Sequence, residues 1–420
     1  MTAGLFGAYH IYPNYPDFIV NEPAYNNYKD EYGVLRYGGY LQEFIKTHSR
    51  YPAIVAEFGI ANGAGVAHLS PDGLNHGGID ETTAGRDILR MQAAIQKEGY
   101  AGAIIFEFMD EWAKKTWITE PFKIPFDRRI FWHDVVDPEQ NYGLIANESI
   151  PPEKPEQTIS GSNALSSLEV AHDASYLYLT IHLASGKKPQ DCEVLLGIDT
   201  YNRTLGQMSW PRSLGRTASG MEFLLDIRNE EARILVNPSY NIASARYATS
   251  LRQDGVFENM NMLVNGKVVT KDGREIPEKR FDISLMRQGP FDESGNLWNV
   301  EGNTINVRIP WGRLNVTDPS SLRVLNDTRT NLGDPGIDTL KASITDGFVF
   351  DGLVLDKHSG SVIGRLNANV TSPYIWNGWE ETPPYRERPK KSYSIVQDAW
   401  KVASEKDKPV RADFVGAHSK

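Results

Sequence analysis

Glu57 closes the apolar run Pro52-Ala-Ile-Val-Ala-Glu-Phe-Gly59 and stands at the mouth of a long glycine-rich loop. A carboxylate placed there can serve as a nucleophile, because the end of a buried strand fixes its backbone while the loop gives a ligand access to it. Two other apolar runs end in a similar way. Leu5 to Tyr12 finishes on Tyr-His-Ile-Tyr-Pro, and Ala101 to Phe108 on Glu-Phe-Met-Asp-Glu-Trp112. All three deliver polar and aromatic groups at C-terminal strand ends, the face on which parallel α/β folds do chemistry. A phenol or imidazole from Tyr9, His10 or Tyr12 on a neighbouring strand could hydrogen-bond the Glu57 carboxylate and keep it ionised. Glu107, Asp110 and Glu111 crowd the third strand end, where mutual repulsion raises at least one carboxyl and suits it to general acid work. The plainer reading of that cluster is solvated loop carboxylates or binders of substrate hydroxyls.

The elements that must hold these groups follow from periodicity. After the first run, Tyr37 to His48 puts Leu41, Phe44 and Ile45 on one helical face. After the second, Thr82 or Thr83 is the expected cap of a helix that carries Ile88, Met91 and Ile95 and closes at Gly99. Strand, helix, strand, helix, strand implies parallel βαβ units over residues 1–147. A linker over 148–156, centred on Ile150-Pro-Pro-Glu-Lys-Pro155, leads to a different texture. In 175–183, Leu177, Leu179, Ile181 and Leu183 alternate with Tyr176, Tyr178, Thr180 and His182, the pattern of a half-buried antiparallel strand. Further strands are predicted over 193–200, 221–228, 232–236, 304–310, 322–325 and 347–355, so 157–372 reads as an antiparallel β-sandwich. Residues 373–420 form an aromatic loop and a C-terminal helix with Tyr393, Val396 and Trp400 at helical spacing. The fold class is α/β plus all-β.

Composition narrows the function. The 420 residues carry a net charge of −10 with both signs interspersed, which argues against a nucleic-acid partner. The single cysteine, Cys192, excludes an internal disulfide framework and reads as a packed sheet residue. No stretch approaches the ~20 apolar residues of a membrane span, and the N-terminal residues lack the basic start and apolar core of a signal peptide, so the compartment is not encoded. The loop from Ile60 to Asp80 holds His68 and His76 among five glycines and belongs on the active face. A metal there would need a third ligand, so neither metal nor cofactor is expected.

The order Tyr9-His-Ile-Tyr-Pro13, Val55-Ala-Glu-Phe-Gly59 and Phe106-Glu-Phe-Met-Asp-Glu-Trp112 resembles strands 6, 7 and 8 of the clan A glycoside hydrolases, (β/α)8 enzymes of the family 2 and family 5 kind. The resemblance covers about the first 145 residues and implies a partial (β/α)8 barrel, carbohydrate as substrate, and Glu57 as the nucleophile of a retaining mechanism. It also implies that His10, Tyr12, Trp112 and Glu107 contact substrate, Trp112 as a flat platform for a sugar ring. The family's acid/base glutamate belongs to strand 4, which has no counterpart here. Asn21-Glu22-Pro23 matches its usual tripeptide, yet Glu22 lies only 35 residues before Glu57, too few for three βα steps. Glu22 and Glu111 are therefore the weaker acid/base candidates.

The sandwich resembles family 9 carbohydrate-binding modules through Leu177-Tyr-Leu-Thr-Ile, Leu196-Gly-Ile-Asp199 and Arg308-Ile-Pro-Trp311. That resemblance makes Trp298, Trp376 and Trp379 possible sugar platforms and Asp199 a possible calcium ligand, with core packing and turn capping as the plainer roles. Pro384-Tyr-Arg-Glu-Arg-Pro-Lys-Lys-Ser-Tyr393 resembles the segment leading into the last barrel helix, so the closing helix is expected to pack back on the parallel units. Together these imply a glycoside hydrolase-like chain that is incomplete alone, completed by a partner chain, a second copy in a homodimer, or an N-terminal extension. The rival reading is a non-catalytic carbohydrate-binding or assembly protein that keeps the parallel units as a scaffold.

Overall fold

The computed structural model describes residues 4–48, 50–116, 126–228, 230–245, 254–326 and 341–406. Residues 407–420 of the expected C-terminal region lie outside the described residues. The fold is mixed and sheet-rich, with a small parallel layer and a large antiparallel sheet.

Three short strands, β1 (Gly7–His10), β2 (Ala53–Phe58) and β3 (Gly102–Ile105), form a parallel sheet in that order. Between them run α1 (Arg36–Thr47) and α2 (Glu81–Lys97). The amphipathic spacing is realised: Leu41, Ile88, Met91 and Ile95 are buried with Val55 and Phe58 of the central strand in one apolar cluster. The α2 cap differs from the expected threonine. Asp80 is the cap, its carboxylate accepting from Thr83 N at 2.8 Å, and Thr83 adds a second bond through its own hydroxyl. The helices cover one face of the sheet only. On the other, Ala8, His10 and Ile104 are exposed.

From β3 the chain reaches β4 (Ile145–Ser149) and enters an 11-stranded antiparallel sheet. Its midpoint is a short seam of three residue pairs between the strands Gln157–Asn163 and Val362–Leu366. Leu177, Leu179 and Ile181 from one side of the seam share a core with Val194, Leu196 and Ile198 from the other, so the sheet curls over on itself. The strand Tyr176–Leu183 alternates as expected except at Tyr176. Tyr176 is buried because its hydroxyl donates to Ser294 O at 2.8 Å and Arg308 lies over its ring.

The chain leaves the large sheet through β5 (Tyr385–Pro389), which pairs antiparallel with β4 along its whole length, and ends in α3 (Lys391–Lys406). This pairing holds the entry and exit of the antiparallel region side by side. The terminal helix packs on α2, with Val396 and Ala399 in the cluster of the parallel layer. Glycine at position 85 permits the approach, since a Cβ there would lie 2.9 Å from Ser392 Cα.

Lys390, between β5 and α3, is wholly buried. Its ammonium donates to Asp110 Oδ1 at 2.7 Å and Asn62 Oδ1 at 2.9 Å, and lies 3.4 Å from Asn141 O. Burial pushes the Asp110 carboxyl up to about 6, although Lys390 and the Gly143 amide pull the other way. Removing one partner strands the other charge in a low dielectric. We therefore expect Lys390→Met to cost about 3–5 kcal/mol in a denaturant melt, and the double variant with Asp110→Leu to recover most of it.

Candidate functional site

Glu57 lies near the C-terminal end of the central strand, and Gly59 lets the strand end press against β3, since a Cβ at 59 would fall 1.8 Å from Phe106 O. A register shift after Tyr9 sets His10 opposite Glu57. The Tyr12 hydroxyl donates to Glu57 Oε2 at 2.9 Å, and His10 Nδ1 lies 3.2 Å from the same oxygen. The Glu57 side chain is 30% exposed, open to a ligand yet fixed. Burial first, then the Tyr142 phenol and Glu57 carboxylate, push the Tyr12 phenol far above its usual range, so it remains a donor. Tyr9, the third residue considered for this role, turns to the helical layer and packs edge-on against Phe44.

The carboxylates after β3 separate into two environments. Asp110 is committed to Lys390. Glu107 is half-buried beside Glu111, and its Oε1 is buried without a hydrogen-bond partner. Desolvation, followed by the Glu111 carboxylate, pushes Glu107 up to about 8, with Lys114 opposing. Lys114 Nζ lies 3.3 Å from Glu111 and 4.5 Å over the Phe106 ring. Glu107 also borders a groove of about 590 Å³ between β3 and the terminal helix, lined by Ile105, Phe108, Leu144 and Trp400.

Buried Tyr142 joins the strand ends. Its ring meets Tyr12 at 5.7 Å, Phe106 at 5.4 Å and His76 at 5.5 Å. The loop after β2 is pinned here by backbone bonds from Asn62 N to Asn141 O and Ala64 N to Val135 O. It buries His68 and His76 in parallel, 5.8 Å apart. Burial, then the neighbouring His76, pushes the His68 imidazole down to about 4. Among the described residues no group of three or more His, Cys, Asp or Glu side chains is placed to hold a metal ion, and no helix is long and apolar enough to cross a membrane.

Several other sequence candidates have structural roles. Trp112 is not an open platform: it is 9% exposed, stacks on His133, and donates to Asn147 O at 3.0 Å. Trp376 is 3% exposed, packs on Trp311 at 4.7 Å and donates to Pro319 O. Trp379 donates to Phe131 O and stacks on His172, and Trp298 is buried with its indole on Met286 O. Trp112, Trp298 and Trp376 are buried residues with satisfied N–H groups, and half-buried Trp379 packs against the core. Glu22 caps a short 3₁₀ turn by accepting from Ala24 N at 3.0 Å, which accounts for its side chain without acid/base chemistry. Asp199 is buried against Arg203 and Ser219, and Cys192 is buried in a strand.

Sequence reasoning passed over Tyr142, Glu139 and Lys114. Lys114 follows the acidic cluster by three residues, a readable signal for a partner of Glu111. Tyr142 and Glu139 lie in a stretch without periodicity, and only the fold brings them to the site.

No family model matches the sequence. No curated protein matches it either. Among solved structures, a tri-modular GH5 (subfamily 4) endo-β-1,4-glucanase from Bacillus licheniformis is 12% identical, over 85% of this chain and 60% of that one, with a TM-score of 0.17. The chain thus spans 60% of that structure, and a likeness at this level carries no argument.

Two measurements test the site's physical description. Glu107 holds its proton more tightly folded than unfolded, so its contribution to stability falls as pH rises from the ordinary carboxylate range through about 8. Glu107→Gln, which mimics the protonated acid, is expected to be increasingly more stable than the parent as melts are taken from pH 5 toward 9, flattening above the folded value. Trp376→Ala should cost about 3–5 kcal/mol, as loss of a core indole does. An exposed platform would cost almost nothing.

Proposed function

We propose that the chain carries the nucleophile side of a retaining glycosidase site, on βα units equivalent to the last three of a (β/α)8 barrel, with carbohydrate as substrate. The observation that carries the reading is the Glu57 carboxylate, half-exposed at the end of the central parallel strand, with Tyr12 and His10 both directed at Oε2. These two residues position the group and leave Oε1 to attack the anomeric carbon. The new bond from Oε1 forms as the bond to the leaving oxygen breaks, and that oxygen takes a proton from an acid. Water then releases the sugar from the ester, with the same acid acting as base.

Glu107, pushed up to about 8, is the carboxyl of this site with a proton to give near neutrality. A retaining pair stands roughly 5 to 5.5 Å apart, and the reading requires that spacing of the two carboxyls when substrate is bound. The exposed sheet face at Ala8, His10 and Ile104 fits completion of the parallel layer by further strands from a second chain or a second copy.

The test uses a 2-deoxy-2-fluoro glycosyl fluoride, whose fluoride departs without help from an acid and so probes the nucleophile by itself. Peptide mass spectrometry is expected to find the sugar on Glu57. On aryl glycosides, Glu57→Gln should lower turnover on the order of 10³-fold or more. Tyr12→Phe should lower it about 10- to 100-fold, the worth of one hydrogen bond to a charged group. A label on another residue, or unchanged turnover in Glu57→Gln, would overturn the reading.

A further inference from the structure

From the Glu57 site a row of rings runs beneath one wall. Tyr12, Tyr142, His76 and His68 follow one another at centroid spacings of 5.7, 5.5 and 5.8 Å, and Tyr15 tilts against the far end at 6.3 Å. Three of these rings each meet one carboxylate. Tyr12 donates to Glu57, His76 Nε2 lies 3.2 Å from Glu139 Oε1, and His68 Nε2 lies 3.4 Å from Asp17 Oδ1. Tyr142, His76 and His68 are buried, whereas Glu139 is 28% and Asp17 49% exposed and Tyr15 is 63% exposed. The rings form a floor. The carboxylates and the Tyr15 ring rise from it to solvent.

Two further features bear on what lies along this wall. His76, at the centre of the row, has Nδ1 buried without a hydrogen bond, and its Nε2 faces the Glu139 carboxylate. Among the described residues, no lysine or arginine pairs with Glu57, Glu139 or Asp17. The His68 imidazole, pushed down to about 4 by burial, supplies no compensating charge near neutrality.

We infer that this wall binds a glycan of at least three units that bears no acidic groups, lying past Glu57, Glu139 and Asp17 in turn. The inference rests on the glycosidase reading of Glu57 for the end of the row. The ring spacing is close to the repeat of a hexopyranose chain. Carboxylates accept hydrogen bonds from sugar hydroxyls or ammonium groups, and they repel uronate and sulfate groups that would have to be desolvated beside them. Tyr15 gives the outermost unit an exposed aromatic face.

Binding is measured by calorimetry on the full chain carrying Glu57→Gln, so that turnover does not interfere. The probes are neutral gluco- and manno-oligosaccharides of one to six units, chitosan oligomers, and oligogalacturonates. Affinity is expected to climb up to at least three units, with oligogalacturonates at least about tenfold weaker than neutral chains of equal length. Asp17→Asn with Glu139→Gln should narrow that discrimination, and Tyr15→Ala should weaken only chains of three or more units. Equal or tighter binding of oligogalacturonates, no gain beyond one unit, or no binding of any probe would overturn the inference. Labelling of Glu57 together with hydrolysis of acidic glycans only would sink this inference and leave the glycosidase reading intact. The expected binding without any labelling would do the reverse.

Discussion

The Lys390 ammonium is the constraint on which the rest of the arrangement depends. It lies in the protein interior and is served by three loops at once: Asn62 after the Glu57 strand, Asp110 after the Glu107 strand, and Asn141 beside Tyr142. A buried cation must be both charge-balanced and hydrogen-bonded, so these loops cannot drift apart without exposing a charge to a low dielectric. The residue that enforces this comes from the far end of the chain, some 280 residues beyond Asp110. The same return is reinforced by Arg388, which bridges Glu81 at the start of α2 and Glu148 in β4. The strand ends bearing the proposed chemistry are therefore set by the route of the C-terminal segment as well as by the parallel sheet.

The large antiparallel sheet takes part in this positioning. The amide of Leu69, in the loop carrying His68 and His76, donates to Asn265 Oδ1, and Val66 and Ala67 pack against Val264. From the opposite side, Arg313 donates to Ala64 O at 3.2 Å. The loop is thus held between the parallel layer and a hairpin of the antiparallel region. The tryptophans that a sugar-binding module would expose are spent here on the core of that region, around Trp311 and Trp376. Its contribution is to hold the loop in place, through contacts with the backbone and small apolar residues.

Much of the fold was legible because the decisive signals are local. The run around Val55 has buried-strand composition, α1 and α2 carry their apolar residues at helical spacing, and Leu177 to Leu183 alternates cleanly. The strand Gln157–Asn163 escaped notice because Ile159 is the residue it buries, its other positions being Gln, Thr, Ser, Gly and Asn. Tyr385–Pro389 escaped because four charged or aromatic residues precede a proline, and only pairing with distant Ile145–Ser149 makes it a strand. At the site, Glu57 with Tyr12 and His10 could be read from strand order, since adjacent parallel strands bring their C-terminal ends together. Indoles left two roles open for the opposite reason. Trp112 and Trp376 have the composition of a platform, and what decides their role is a carbonyl and a neighbouring ring far away in sequence. Lys390 gave no signal at all, because a lysine beside a proline and another lysine reads as surface.

The two carboxyls at neighbouring strand ends differ in what faces them, and that difference is the strongest chemical content of the site. Facing Glu57 are a phenol that donates to it, kept protonated by its own burial, and an imidazole nitrogen 3.2 Å away. A second carboxylate faces Glu107, which also has an oxygen shut away from any partner, so its neutral acid form is favoured. The two environments thus divide: neighbours position Glu57, and Glu107 is held toward its neutral form. Asp110, one turn of chain away, shows why the division is local. It is more deeply buried than Glu107, yet a lysine and a backbone amide answer its charge, so its carboxyl is raised only to about 6 where that of Glu107 is raised to about 8.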